Sequence, residues 1–246
     1  MIPTEDYKQR LYKVYKETHP ANRFKMTGPS LNYMCRHYAR TFGPLLPQDK
    51  TAKILELGCG LGSFLYFLKK SGYTNTAGID MNSEHVSAAQ NLGLQVIQGN
   101  ALDVLRSNPG TYDCIITIDF LEHFKKEELF PLLDLIRDAL KNGPDSKSSV
   151  IGRVPNADGL GGMRIRYGDL THELAFTPGS LWQLFRATGF KEVTAYPEEP
   201  IITGIRSFIR FIVWQPIKII LKIYLFVESY TLGAMLTPNI LFRAFR

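Results

Sequence analysis

The sequence predicts an α/β fold: a seven-stranded, mostly parallel sheet with helices on both faces and one helical insertion near the C-terminus. Three observations carry this. Short apolar runs alternate with helical segments from residue 53 onward, the signature of βαβ units. The runs are mainly apolar, as expected of strands covered by helices on both faces. The 246 residues and an apolar fraction of 45% suffice for one large domain with a sizeable core.

Residues 5–17 and 30–42 read as helices, the second starting at Ser30 and stopping before Gly43-Pro44. KILEL is the first strand, followed by a glycine-rich turn and the helical SFLYFLKK. TAGID is the second strand. NSEHVSAAQNLG is a helix capped by Asn82 or Ser83 and stopped by Gly93. LQVIQG and YDCIITI are strands three and four. A helix over roughly 126–141 stops at Gly143-Pro144, and SSVIGRV is strand five. The segment 155–176 reads as a long loop, and Gly159, Gly161 and Gly162 suggest a mobile lid. TPGSLWQLFRATGF is a helix with Thr177 as cap and Pro178 at its first position. KEVTAY is strand six and NILFRAF strand seven. The expected organisation is a helical lid over 1–46, a core over 47–200, an amphipathic segment over 201–237 and a final core strand over 238–246.

Cys35, Cys59 and Cys114 cannot form a paired framework and suggest a reducing compartment, and the N-terminus lacks an apolar signal region. The expected setting is cytoplasmic. The net charge of +6 is uneven: residues 201–246 hold six cations against Glu228, a balance of +5, which leaves +1 for the rest. A nucleic-acid enzyme would spread basic charge around its active face, so no nucleic-acid partner is expected. A tail both basic and apolar points to a membrane surface instead. Arg206, Arg210, Lys218 and Lys222 fall within an arc of about 160° on one helical face. They interrupt any run long enough to span a bilayer. Pro216 is expected to kink the helix into two pieces. The expectation is an in-plane helix over 205–227 that docks on anionic lipid at the inner face of the cell membrane. A buried helix pair or a dimer face is the alternative, and the oligomeric state is open.

Ligands of such sheets bind beyond the carboxyl ends of the strands. ELGCGLG follows the first strand and opens a helix there, and Gly58, Gly60 and Gly62 permit a sharp turn and close approach of a ligand. Asp80 ends the second strand, where a carboxylate can accept both hydroxyls of a ribose. Ser63 stands where a dinucleotide fingerprint needs a glycine, which disfavours a pyrophosphate guest.

ELGCGLG, GID, GNA at 99–101 and YDCIITIDFLEHF together resemble the motifs of class I S-adenosylmethionine (SAM) methyltransferases, over roughly residues 51–200. The resemblance implies a Rossmann-like fold with SAM as cofactor. The residues it places at the cofactor are Glu56, Gly58, Cys59, Gly60, Gly62, Asp80, Met81, Asn100, Ala101 and Asp119, with Asn100 where the family commonly has an acidic adenine contact. VPN with RYGDLTHELAFTPGSLWQLFRATGF resembles a bacterial subgroup associated with polysaccharide and glycolipid biosynthesis. That implies a sugar hydroxyl on a small-molecule or lipid-linked glycan as acceptor.

DFLEHF sets Asp119, Glu122 and His123 past the fourth strand, and Asp169, Thr171, His172 and Glu173 stand together in the loop after the fifth. Glu122 could merely complement a helix dipole, and Asp169 with Thr171 could merely cap a turn. The functional reading makes His172 a general base, oriented by Asp169 or Glu173, that takes a hydroxyl proton while a methyl group is attacked. His123, Asp169 and Glu122 complete the candidate catalytic set. Ubiquinone-pathway O-methyltransferases also carry a Glu-His pair in this loop, which resembles a divalent-cation site. Asp119, Glu122, His123 and His172 would then hold Mg²⁺, a cation that prefers oxygen ligands, so no metal is expected. The alternatives are a polyprenyl phenol as acceptor, or a SAM-binding or membrane-scaffold protein without chemistry. From position alone, Tyr33, Arg36 or Tyr38 should lie near the ligand.

Overall fold

A computed structural model describes residues 27–143, 146–231 and 233–246, together with Tyr7, Arg10, Leu11 and Val14. The helix expected over 5–17 falls largely outside the described residues. The elements are α1 (Gly28–Thr41), β1 (Ile54–Leu57), α2 (Ser63–Lys70), β2 (Thr76–Asp80), α3 (Ser83–Asn91), β3 (Val96–Gln98), α4 (Ala101–Arg106) and β4 (Cys114–Ile118). They continue with α5 (Lys126–Ala139), β5 (Ser149–Pro155), α6 (Gly162–Gly168), α7 (Pro178–Ala187), β6 (Glu192–Pro197), α8 (Ile205–Ser229) and β7 (Asn239–Phe245).

The sheet order is β3-β2-β1-β4-β5-β7-β6. β1 pairs in parallel with β2 and β4, and β4 with β5. β7 alone runs antiparallel, from Asn239 opposite Pro155 to Phe245 opposite Ser149, and β6 closes the sheet against it. Seven strands, mostly parallel, are what the apolar runs predict. β7 reaches its place between β5 and β6 only because the chain turns back after β6, and that return contains α8.

Alternation along the strands divides the core in two. Leu55, Leu57, Ile115 and Val150 pack with α5 and α7 on one face. Ile54, Ile116 and Ile151 pack with α1 and α2 on the other, around Tyr38, Phe42, Phe64 and Phe67. Each such aliphatic or aromatic side chain, fully buried, contributes about 1.5–3 kcal/mol.

The structure corrects three expectations. The segment 155–176 is not a structureless lid: it contains α6, and its glycines serve close packing. A Cβ on Gly162 would stand 1.4 Å from the Asn156 carbonyl oxygen, and one on Gly159 would stand 2.3 Å from that of Thr237. Asn156 is fully buried and its amide donates to the Met235 and Thr237 carbonyls. The segment is thereby bolted to the strand-seven approach. A further helix, α4, follows β3, with Asn100 as its cap; six residues are too few for a periodic pattern to register. Pro216 lies inside one continuous 25-residue helix, so the proline does not divide it into two pieces.

Candidate functional site

The loops after β1, β2, β3, β4 and β5 all emerge at one edge of the parallel part of the sheet and carry the glycine turn, Met81, Asn100, Asp119 to His123 and Asp169 to Glu173. The glycine turn is built by backbone conformation. Gly58, Gly60 and Gly62 have φ of 66°, 52° and 78°, a region in which side chains are strained. Two of them are also walled in: a Cβ on Gly58 would meet the Phe120 ring at 2.7 Å, and one on Gly62 would meet Leu94 at 2.7 Å. Around Gly60 nothing lies within 4 Å, so the middle of the turn opens outward.

Asp80 ties the turn to the second strand. Its Oδ2 accepts from the Gly60 amide at 2.8 Å and its Oδ1 from the Asn82 amide at 2.8 Å, with His85 Nδ1 3.6 Å away. Burial alone would raise its pKa, but His85 and the two amides hold it below the usual carboxylate range. Asp80 is therefore a fixed anion beside an open backbone turn. Glu56, inside β1, behaves oppositely. Burial, then the charge of Asp80, pushes its pKa well up, and its Oε2 has no hydrogen-bond partner. Cys59 is buried and its thiol is likewise pushed up by burial. Met81 lies exposed at the β2 end. Asn100 Oδ1 accepts from the Leu102 amide as the cap of α4, which starts at Ala101.

The loop after β4 meets the stretch 166–176. Glu122 is buried, not a surface acid at a helix end: burial, then Asp119, raises its pKa well above the usual range. Its backbone carbonyl accepts from the Glu173 and Leu174 amides at 2.7 and 3.2 Å. That pairing sets His123 against His172, ring centroids 4.8 Å apart and edge to face.

The two imidazoles have assignable tautomers. His172 Nδ1 lies 3.1 Å from the Ile165 carbonyl oxygen, so Nδ1 carries the hydrogen and Nε2 the lone pair. Asp169 Oδ2 stands 3.9 Å from that Nε2, placed to stabilise a proton arriving there. Glu173 does not orient the ring, since its carboxylate accepts from the Tyr7 hydroxyl. The turn reading of Asp169 also holds: its Oδ1 accepts from the Thr171 amide at 2.9 Å and hydroxyl at 2.7 Å. The Thr171 hydroxyl, its hydrogen given to Asp169, accepts from His123 Nδ1 at 3.0 Å. Burial, then repulsion by His172, lowers the His123 pKa to about 4, and burial lowers that of His172. Both rings are neutral at neutral pH.

The linkage has a definite sign. Folding depresses the His123 pKa from about 6.5 to about 4, so its contribution to stability is complete above pH 6.5 and is lost as pH falls toward 4. The total is about 3 kcal/mol. Chemical denaturation of wild type and His123→Gln between pH 7 and 4 should show the wild type losing that much more stability across the window. Parallel profiles would contradict the burial of a neutral ring.

Sequence reasoning missed a second cluster. Asp119 has φ of 50°, rare for a residue with a side chain. Both its carboxylate oxygens accept from Arg153, Oδ1 from Nε at 2.8 Å and Oδ2 from Nη2. Arg153 Nη1 donates to Glu198 Oε1 at 3.0 Å. Glu198 also contacts His37 Nε2 at 3.2 Å and accepts from Asn239 at 2.7 Å. Burial opposes the charge on Arg153, but Asp119 and Glu198 more than offset it and raise its pKa further. Glu198 is held at about 2, where burial is outweighed by Arg153 and the hydrogen bonds from His37 and Asn239. Of the α1 candidates, Tyr38 is buried, with its hydroxyl 3.1 Å from Ser63 Oγ at the glycine turn and its pKa pushed up to about 12 by burial. Tyr33 and Arg36 are exposed. The signal for this cluster was a lone arginine inside the apolar run SVIGRVP.

Among the described residues, no three His, Cys, Asp or Glu side chains gather where they could hold a metal ion. Asp119, Glu122, His123 and His172 do not form the cation cage the alternative needs, because Asp119 is turned to Arg153.

An open glycine turn, a fixed acid at the next strand end and a parallel sheet with one antiparallel strand define a class. Residues 30–195 match the model of the methyltransferase-domain family. The chain belongs to that family, and its fold is that of the class I SAM-dependent methyltransferases. A solved SAM-dependent methyltransferase from Archaeoglobus fulgidus superposes with a TM-score of 0.67 over 96% of this chain and 99% of that one, at 20% identity. The chain is 31% identical over 106 residues to norajmaline N-methyltransferase of Rauvolfia serpentina, which is 40% of this chain and 36% of that protein. It is 30% identical over 115 residues to the ubiquinone biosynthesis O-methyltransferase of Vibrio parahaemolyticus, 44% of this chain and 43% of that protein. The chain thus spans well under half the length of these curated relatives.

Proposed function

We propose that this protein is a SAM-dependent O-methyltransferase in which His172 is the general base. The observation that carries this is the neutral imidazole pair at the carboxyl edge of the sheet, with the lone pair of His172 on Nε2 and Asp169 Oδ2 3.9 Å from that nitrogen. The residues present fit the cofactor. Gly60 leaves the turn open, and Asp80 is an anion suited to ribose hydroxyls. Glu56, Gly58, Cys59 and Gly62 shape the same turn, and Met81, Asn100 and Ala101 offer an apolar and polar edge for a purine. Asp119 contributes by holding Arg153.

SAM, when bound, supplies a methyl group on a sulfonium that leaves as a neutral thioether. The protein's part is to take the acceptor proton and to position the acceptor. During methyl transfer the acceptor proton would pass to His172 Nε2, and Asp169, 3.9 Å from that nitrogen, would stabilise the imidazolium. The relay from His123 through Thr171 to Asp169 fixes that carboxylate. A sugar hydroxyl on a polysaccharide or lipid-linked precursor is the acceptor that most needs such a base. A polyprenyl phenol is the second reading, favoured by the likeness to a ubiquinone biosynthesis O-methyltransferase. A phenol of pKa near 10 needs less help.

The test is release of S-adenosylhomocysteine with a panel of lipid-linked sugars, polyprenyl phenols and amines. Turnover confined to hydroxyl acceptors supports the proposal. Turnover with amines alone sinks O-transfer, and SAM binding without turnover on the whole panel favours a non-catalytic binding protein.

A further inference from the structure

The helix α8 leaves the sheet at the end of β6 and returns at the start of β7. β7 runs against its neighbours, so its first residue, Asn239, lies beside Pro155 at the end of β5. The segments that lead into and out of α8 therefore both join the sheet at the edge that carries the candidate site. At 1.5 Å per residue its 25 residues extend about 37 Å, and none of them is buried.

Its exposure is not uniform around the axis. At 100° per residue, the half-buried side chains Phe211, Trp214, Lys218, Leu221 and Leu225 fall in one arc that faces the body. Lys218 is anchored there to Glu199 at 3.1 Å. The opposite arc, about 160° wide, faces solvent and holds no charge. Ile205, Ile209, Ile212, Ile219, Ile223 and Val227 lie along it, between 52% and 77% exposed. Arg206 and Arg210 border this strip on one side and Lys222 on the other, all exposed. The helix has one acid, Glu228, close to its C-terminal end.

An apolar strip of this length is outside what a soluble surface ordinarily leaves uncovered. Among the described residues no helix is long and apolar enough to cross a membrane. Charge selects the cover. A second copy of α8 on the strip would bring cation borders together with only Glu228 to answer them. An anionic bilayer answers all three cations with phosphate and carboxylate groups, while the isoleucines enter the acyl boundary.

We infer that α8 is an in-plane membrane-docking helix: its isoleucine strip inserts at the surface of an anionic bilayer, with Arg206, Arg210 and Lys222 on the lipid headgroups. Docked in this way, it brings the carboxyl edge of the sheet to the membrane, where a lipid-borne acceptor would lie. The inference rests on the helix alone and stands whether or not the acceptor is a hydroxyl.

The experiment uses the full chain in co-sedimentation with vesicles of neutral phosphatidylcholine, or of phosphatidylcholine with about a third phosphatidylserine. Two variants accompany it, Ile212→Asp with Ile219→Asp, and Arg206→Ala with Arg210→Ala and Lys222→Ala. All these side chains are solvent-exposed, so both variants should keep the wild-type melting temperature. The expected result is partition onto the anionic vesicles, weaker by roughly a hundredfold in the triple cation variant and lost in the aspartate variant. Wild type that ignores anionic vesicles, or binding that both variants retain, would overturn the inference. So would a wild-type dimer that the aspartate variant splits, since the strip would then be a subunit interface.

Discussion

His172→Gln should lower turnover by about 10² to 10⁴-fold while leaving SAM affinity within about twofold of wild type. Glutamine keeps a side-chain donor for the Ile165 carbonyl but offers no basic nitrogen where Nε2 stands. The wild-type kcat/KM should fall on the acid side, below a pKa itself lower than that of an ordinary histidine, because burial depresses it. That acid limb should vanish in the variant. The depth of the loss also discriminates acceptors: a sugar alcohol should suffer near the top of the range, a phenol near the bottom. A merely structural His172 would instead lower the melting temperature and leave the pH profile of the surviving activity unchanged.

Arg153→Met should destabilise the fold by about 3–5 kcal/mol. The guanidinium is the common partner of Asp119 and Glu198, which hold it from two sides. Methionine fills much of the volume but leaves two carboxylates facing each other without a cation. It also releases Asp119 from a backbone conformation with positive φ, a strain that persists only while its surroundings impose it. Arg153→Lys keeps the charge and loses the two-pronged grip, so it should lie between wild type and Arg153→Met in urea denaturation. Equal stability for all three proteins would show that the cluster contributes nothing to the fold. His37 and Asn239, which close the far side of Glu198, should show smaller losses when replaced.

What could be read from the sequence was whatever lies within a short window. ILEL, CIITI and SVIGRVP announce buried strands because each is short and mainly apolar. The glycine turn and Asp80 were legible because a strand, a turn and the next strand end stand at fixed separations. His172 stood out because Asp169, Thr171 and Glu173 crowd it. The structure chooses among them, giving Asp169 to the ring and Glu173 to Tyr7.

What escaped depends on pairing across the sheet. Arg153, Glu198, His37 and Asn239 are far apart in sequence; the pairing of β7 with β6 brings Asn239 to Glu198, and its pairing with β5 brings both beside the strand of Arg153. The glycines of 159–162 were misread for the same reason. Locally they suggest mobility, whereas their function is to let Asn156 and Thr237 approach. The division at Pro216 was a rule about isolated helices; α8 continues through the proline as one helix.

The central claim, that the glycine turn and Asp80 form a SAM site, is tested most directly by isothermal titration of the purified protein with SAM, with and without Asp80→Ala. Wild type should bind SAM with micromolar affinity, and the variant should lose that binding. The variant loses both the anion and the anchor of the Gly60 and Asn82 amides. Repeating the titration with anionic vesicles covers a site that closes only on a membrane. A folded wild-type protein that binds no SAM in either setting, or an Asp80→Ala variant that binds as tightly as wild type, would contradict it.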